Sequence, residues 1–130
     1  MIVVDASAMA EALVGRDPNV ELLDALAGDL HAPYLLDAET LSVFRGLVVD
    51  GKLYPGRAQE AISDYFAFEI ARYRTEPLAA RVWELRHNFT TYDAHYIALA
   101  EALDSPLLTC DQKLSSTDHR AAVTVFSRSQ

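Results

Sequence analysis

The chain of 130 residues predicts an α/β fold in which helices cover a mainly parallel central sheet. Three observations carry this. Short apolar runs rich in β-branched residues alternate with longer stretches of helical periodicity. No hairpin signal joins any two of the runs, so the chain returns through helices and the strands lie parallel. The length suits one domain with a sizeable core, and no linker, internal repeat or low-complexity segment interrupts it, so residues 1–130 are expected to form a single domain.

The first strand is Ile2-Val3-Val4, and it ends on an acid, Asp5. Ala6 to Met9 begin a helix that continues to Val14 and stops at Gly15. Asp17-Pro18 reads as a restart, a capping acid before a proline in the first turn. Val20, Leu22, Leu23 and Leu26 form that helix's apolar face, and Gly28 ends it. Leu30 to Pro33 is a second strand, stopped by its proline. From Leu35 to Asp50 the pattern is helical, with Leu36, Thr40, Val43, Leu47 and Val48 in one stripe. Asp50-Gly51-Lys52-Leu53 is a turn, and Pro55 opens a helix to about Ile70, with Ala58, Ala61, Ile62, Tyr65 and Phe66 inward. Arg72-Tyr73-Arg74 is either a short strand or only a connection. Glu76-Pro77 starts a helix through Leu78, Val82, Trp83 and Leu85. Thr90-Thr91 precede a strong helix from Asp93 to Leu103, broken by Ser105-Pro106. Leu107 to Cys110 is a third strand that ends on Asp111, and Leu114-Ser115 lie in a short turn or helix. Ala122 to Phe126 is the last strand, and Ser127 to Gln130 are expected to fray.

The net charge is −8, and the first 65 residues hold four basic against eleven acidic groups. That balance argues against broad phosphate binding through Lys and Arg. It leaves open a nucleic-acid substrate held through bound cations. The one cysteine, Cys110, excludes an internal disulfide and a zinc ribbon, and suits the reducing cytoplasm. There is no signal-peptide pattern and no run approaching the roughly 18 apolar residues of a membrane span, so no membrane association is expected.

Four acids stand where an acid is locally awkward or conspicuously placed. Asp5 and Asp111 follow buried strands directly, at one edge of a parallel sheet, where open α/β sheets place ligands. Asp5 alone reads equally well as a helix cap. Glu39 lies inside a largely apolar helix, and Asp93 lies in the first turn of another, where the anion is favoured. Four converging carboxylates repel one another unless divalent cations offset them. Oxygen-only ligation selects magnesium or manganese over zinc, and two such ions a few Å apart form a phosphodiester hydrolysis site.

Four segments carry a family resemblance. They are Val3-Val4-Asp5-Ala6-Ser7; Ala32-Pro33 followed by Glu39; Thr90-Thr91-Tyr92-Asp93-Ala94 with Tyr96-Ile97-Ala98-Leu99-Ala100; and Leu108-Thr109-Cys110-Asp111-Gln112-Lys113-Leu114. In order and spacing across nearly the whole chain they resemble a PIN-domain ribonuclease, most closely a VapC-type toxin of a type II toxin–antitoxin pair. The resemblance implies a PIN-like three-layer α/β/α sandwich. It places the acidic site, catalytic and metal-holding, on Asp5, Glu39, Asp93 and Asp111. It also implies Mg2+ or Mn2+ dependence, an RNA substrate, a homodimer, and a VapB-like antitoxin whose tail covers the cleft. Two departures stand out. His95 replaces a usual apolar residue, and where a fifth acid often follows Asp111 within a few residues, Ser115, Ser116 and Thr117 precede Asp118.

Other residues have plain structural readings beside functional ones. Ser7 and Thr109 either support the acids from a second shell or cap backbone groups. His87 and His95 read as exposed helix histidines or RNA contacts, and Lys113 as a solvated side chain or a phosphate contact. Arg45 lies about 240° around its helix from Glu39 and faces away. Arg72, Arg74, Arg81 and Arg86 form the one basic concentration, by default a solvated face. Tyr65, Phe66, Phe68 and Trp83 read as core or dimer contacts, and Cys110 as inert packing. A phospho-acceptor domain also gathers acids at strand ends, but it needs paired acids after its first strand, and Asp5 stands alone. A non-catalytic PIN-like module fits poorly with four intact acids, and a PIN nuclease of RNA processing shares the chemistry without the partner.

Overall fold

The computed structural model describes residues 1–129; Gln130, expected to fray, lies outside the described residues. Five strands form one sheet, β1 (Ile2–Val4), β2 (Leu30–Pro33), β3 (Ile70–Tyr73), β4 (Leu107–Thr109) and β5 (Val123–Val125). Their order is β3-β2-β1-β4-β5, and every pairing is parallel. Val3 and Val4 are fully buried, as a strand covered on both faces requires. The helices are α1 (Ala6–Val14), α2 (Val20–Leu26), α3 (Leu35–Val49), α4 (Pro55–Ala67), α5 (Ala79–Glu84) and α6 (Thr91–Leu103). α1, α3 and α4 pack on one another, while α6 packs with α5 and lies across β1, β2 and β4, giving three layers. Ala94 to Ala100 are all buried, so α6 is covered on every face over this stretch, as a central helix must be. Among the described residues no helix is long and apolar enough to cross a membrane.

The order of strands positions the site. The chain runs outward from β1 to β2 and β3, then returns to place β4 on the other side of β1. β1 and β4 therefore flank the point where the direction of winding reverses, and the crevice at their carboxyl ends is the natural ligand position of such a sheet. Asp5 and Thr109 stand there.

Several sequence expectations need correction. The ambiguous segment around Arg72 is part of a true edge strand, β3, and α4 ends at Ala67 rather than near Ile70. α2 starts at Val20, capped by Asn19, whose side chain accepts from the Glu21 N–H at 2.7 Å; Asp17-Pro18 lies before it. Only Leu22 and Leu26 of α2 are buried. Phe66 is exposed rather than inward, and α3 buries Leu36, Thr40 and Phe44. The expected frayed end is tied down at Ser129, whose backbone N–H and hydroxyl both donate to Glu11 on α1. Asp50-Gly51 turns as expected, with Gly51 at φ +72°, which glycine adopts without strain.

Candidate active site

Asp5 unites its two readings. It is the N-cap of α1, its Oδ1 accepting from the Ala8 N–H at 3.0 Å, and it is also the buried centre of a polar cluster. The Ser7 hydroxyl donates to Oδ1 at 2.7 Å and the Thr109 hydroxyl donates to Oδ2. Ser7 Oγ in turn accepts from the Cys110 N–H at 2.8 Å, and Thr109 Oγ1 from the Asp111 N–H at 2.9 Å. The two hydroxyls thus join the ends of β1 and β4 around one carboxylate. Burial raises the Asp5 pKa above its ordinary value; the three hydrogen bonds oppose this, and the charge of Asp93 adds to it.

Glu39 enters from α3, half-buried, and its Oε1 accepts from the Tyr96 hydroxyl at 2.6 Å. Burial raises its pKa too, helped by the charges of Asp93 and Asp5 and opposed by the Tyr96 bond. Asp93 occupies the third position of α6. Thr90 caps that helix by accepting from the Asp93 N–H at 3.1 Å, so the local Thr-x-x-Asp sequence fixes where the carboxylate stands. Its pKa is raised by burial first and by Asp111 second, with Lys113 opposing. Asp111 caps the 3-10 turn Gln112–Ser115 through the Lys113 N–H, 3.0 Å. The Lys113 ammonium lies 3.8 Å from the Asp111 carboxylate and is largely exposed.

All four predicted acids therefore share one electrostatic neighbourhood: Asp93 acts on Asp5 and Glu39, Asp5 on Glu39, and Asp111 on Asp93. Among the described residues, no three Asp, Glu, His or Cys side chains close on a single point as a ready-made ligand set. The acids are held by hydroxyls and backbone N–H groups instead of arginines.

Outside the four acids the outcomes divide. Ser7 and Thr109 both touch Asp5 directly. His95 is buried, contrary to expectation: its Nε2 lies 3.0 Å from the Thr75 hydroxyl and its Nδ1 2.7 Å from the Thr91 carbonyl, so it fastens the chain after β3 to α6. His87 is exposed. Asp118 takes the Ser116 hydroxyl at 3.2 Å on the surface and does not join the acids. Cys110 is buried and free, and burial, then the nearby Asp5 charge, pushes its thiol up to about 11, which makes it inert. The residue missed in the sequence is Tyr96. Its signal was present: three residues after Asp93 on the same helix face, it is the one aromatic hydroxyl inside an otherwise apolar run.

Residues 2–120 match the family model described as the PIN domain. The chain belongs to the PIN-domain family. A VapC ribonuclease of Mycobacterium bovis is 39% identical over 129 residues, covering 98% of this chain and all of that protein. Ribonuclease VapC1 of Mycobacterium tuberculosis is 40% identical over 117 residues, 88% of each chain. Among solved structures, a Pyrobaculum aerophilum protein superposes with a TM-score of 0.71 at 20% identity, over 94% of this PIN domain and 81% of that chain, a likeness of fold.

Proposed function

We infer that this PIN domain, spanning residues 1–130, is an endoribonuclease and the toxin of a toxin–antitoxin pair, hydrolysing RNA phosphodiester bonds. The full-length similarity to VapC ribonucleases carries this reading. The intact acidic cluster at the winding reversal agrees with it and speaks against a silent binding module.

The donor set fits a hard divalent cation, Mg2+ or Mn2+. It offers only oxygens, three of the four carboxylates are pushed towards their neutral forms by burial and mutual repulsion, and Lys113 lies beside Asp111. Asp5, Asp93, Asp111 and Glu39 would hold the ion or ions. A bound ion of this class supplies an activated water near neutral pH and neutralises charge on the phosphate. The protein's own contribution is positional. Ser7, Thr109 and the Ala8 N–H hold the Asp5 carboxylate in place at the sheet edge and oppose the effect of burial on it, Tyr96 fixes Glu39, and the N-terminus of α6 favours the anion of Asp93. No side chain here is an activated nucleophile, so water attacks phosphorus in line.

The products then carry 5′-phosphate and 3′-hydroxyl ends. Sequencing both ends of RNA cut by the purified chain with Mg2+, with Mn2+ and with EDTA tests this. A 2′,3′-cyclic phosphate would mean that the ribose hydroxyl attacked, and cleavage in EDTA would remove the metal. The partner is a VapB-like antitoxin, which brings an apolar helix and a basic side chain, most simply arginine, to the acids. The chain acts as a homodimer in the cytoplasm, where its RNA is; exposed Phe66 and Trp83 are available for such contacts. Light scattering of the purified chain, alone and with its antitoxin, reads both assemblies.

A further inference from the structure

The basic concentration seen in the sequence resolves into three engaged arginines and one free one. Arg72 is locked to Asp37 through its Nε and Nη2, each within 3.0 Å. Arg81 is locked to Glu101, and Arg86 stacks 4.7 Å from the centre of the Trp83 ring. Among the described residues Arg74 has no carboxylate or aromatic partner, and it is exposed. It lines a cleft of about 350 Å³ with Tyr34, Arg72, Tyr73, Pro77 and Leu78.

This cleft has rigid walls and two free side chains. Tyr73 is pinned by its hydroxyl, 2.7 Å from His31 Nδ1, and Arg72 by Asp37. Leu78 is a buried floor. The wall after Arg74 is fastened to α6 at Thr75–His95, two residues past Asp93. Tyr34 is 57% exposed, although its backbone N–H is held by the Tyr73 carbonyl at 3.0 Å. The position is also telling. Tyr34 and Arg74 directly follow the paired ends of β2 and β3, Pro33 opposite Tyr73, on the same sheet edge as Asp5. Adjacent strands are about 4.8 Å apart, so the cleft begins roughly 5–10 Å from the end of β1.

We propose that this cleft, between Tyr34 and Arg74, is a subsite for an unpaired nucleotide of the RNA beside the scissile phosphate. The inference rests on the ribonuclease reading above. The Tyr34 ring receives the base face, and the Arg74 guanidinium receives the neighbouring phosphate. In a chain of net charge −8, whose cleavage site is lined by acids, an unpaired arginine beside an exposed aromatic is the combination that single strands require. An aromatic platform is tolerant of base identity, so the subsite selects for unpaired RNA and sets the register of the cut.

The test combines binding and cleavage. Binding is read by fluorescence anisotropy with a short labelled mixed-sequence single-stranded RNA, in the Asp93→Asn background so that bound RNA stays intact. Tyr34→Ala and Arg74→Ala should each weaken binding about tenfold, the scale of one stacked base or one phosphate contact. Arg74→Ala should also lower the slope of log affinity against log salt by about 0.7, while Tyr34→Ala should leave it unchanged. Both side chains are exposed, and circular dichroism checks that the fold persists. In the otherwise native chain the same changes should lower kcat/KM and blur the cut position. If the variants bind with parental affinity and salt slope while the parent binds and cuts RNA, the subsite is wrong and the ribonuclease reading stands. If the parent neither binds nor cuts any RNA, the ribonuclease reading itself fails.

Discussion

One helix, α6, carries two carboxylates that the fold treats in opposite ways. Asp93, in its first turn, receives a threonine cap and no arginine, and its pKa is raised. Glu101, two turns on, is 4% exposed in its side chain and is saturated with cationic partners. Arg81 donates to it twice, at 2.7 and 3.0 Å, the Arg120 N–H donates at 2.8 Å, and the Arg120 guanidinium lies 3.6 Å away. Burial works upward on Glu101 also, but the Arg81 hydrogen bonds and the other partners outweigh it and hold its pKa below the ordinary range. Burial is thus common to both acids, and the partner decides the sign. Glu101 is given arginines, and the same pattern recurs at Asp37 with Arg72. At the winding reversal Asp5 and Glu39 are given hydroxyls, which orient a carboxylate without neutralising it, and among the described residues Asp93 and Asp111 have no arginine either. That leaves negative charge in place for a cation.

The largest effect expected from this contrast is on catalysis. Asp93→Asn should lower metal-dependent RNA cleavage by about a hundred- to a thousandfold, the scale of losing one well-placed electrostatic group. It should also raise the metal-free melting temperature, because one of the repelling charges is gone. Asp5→Asn should match it in activity, although it disturbs the Ser7 and Thr109 bonds as well. Glu101→Gln should do the reverse. Buried pairs lose about 3–5 kcal/mol when one partner is removed; here Arg81 and Arg120 reach solvent, so about 2 kcal/mol is expected. Urea denaturation reads that loss, and the folded protein should keep its cleavage rate. An Asp93→Asn protein that melts lower than its parent would break the contrast.

A closer comparison uses two tyrosines. Tyr65 and Tyr96 are both buried, and each donates its hydroxyl to a carboxylate oxygen at 2.6 Å. The acceptor of Tyr65 is Asp37, which Arg72 already neutralises; the acceptor of Tyr96 is Glu39, which has no arginine. Tyr96→Phe should therefore cost about 10–100-fold in metal affinity or activity, as loss of an outer-shell partner commonly does. Tyr65→Phe should cost only stability, of order 1 kcal/mol. Titrating magnesium against cleavage rate separates the two, since only Tyr96→Phe should move the metal midpoint.

How much of this was legible in the sequence depends on how local the cause is. Ile2-Val3-Val4-Asp5 announces a buried strand that ends on an acid, and Leu108-Thr109-Cys110-Asp111 does so again, so the edge that gathers the site was readable. Asp93 was readable from the threonine cap. β3 was ambiguous because it is an edge strand whose Arg72 pairs with an acid on the distant helix α3; nothing within Ile70-Ala71-Arg72-Tyr73 reveals that partner. His95 was misread as exposed because its reason for burial, Thr75, lies twenty residues earlier. The same distance hides the pairing of Arg81 with Glu101. Short-range signals placed the acids, and only the tertiary structure shows which of them were left without arginines.

The smallest expected effect is also the most direct reading of the contrast, the pH dependence of metal-free stability. Asp5, Glu39 and Asp93 have folded pKa values above their ordinary 3.8, 4.5 and 3.8. The folded chain then binds more protons than the unfolded chain, and stability falls as pH rises through the folded values. The penalty is complete above those values and absent below the ordinary ones. Glu101 behaves oppositely, since its folded pKa is depressed: its stabilisation stands above the ordinary 4.5 and is lost as pH falls through the folded value. In EDTA the melting temperature should therefore rise by a few degrees on acidification from neutral pH, then turn over below the ordinary 4.5 as Glu101 protonates. Saturating Mg2+ should raise the neutral end by mass action and flatten the rise. Asp93→Asn should flatten it without metal, and Glu101→Gln should leave the rise intact while lowering the curve above the turnover, where the parent's Glu101 is ionised. A melting temperature that falls steadily from pH 7 in EDTA would mean that the site acids are not strained by their own charge.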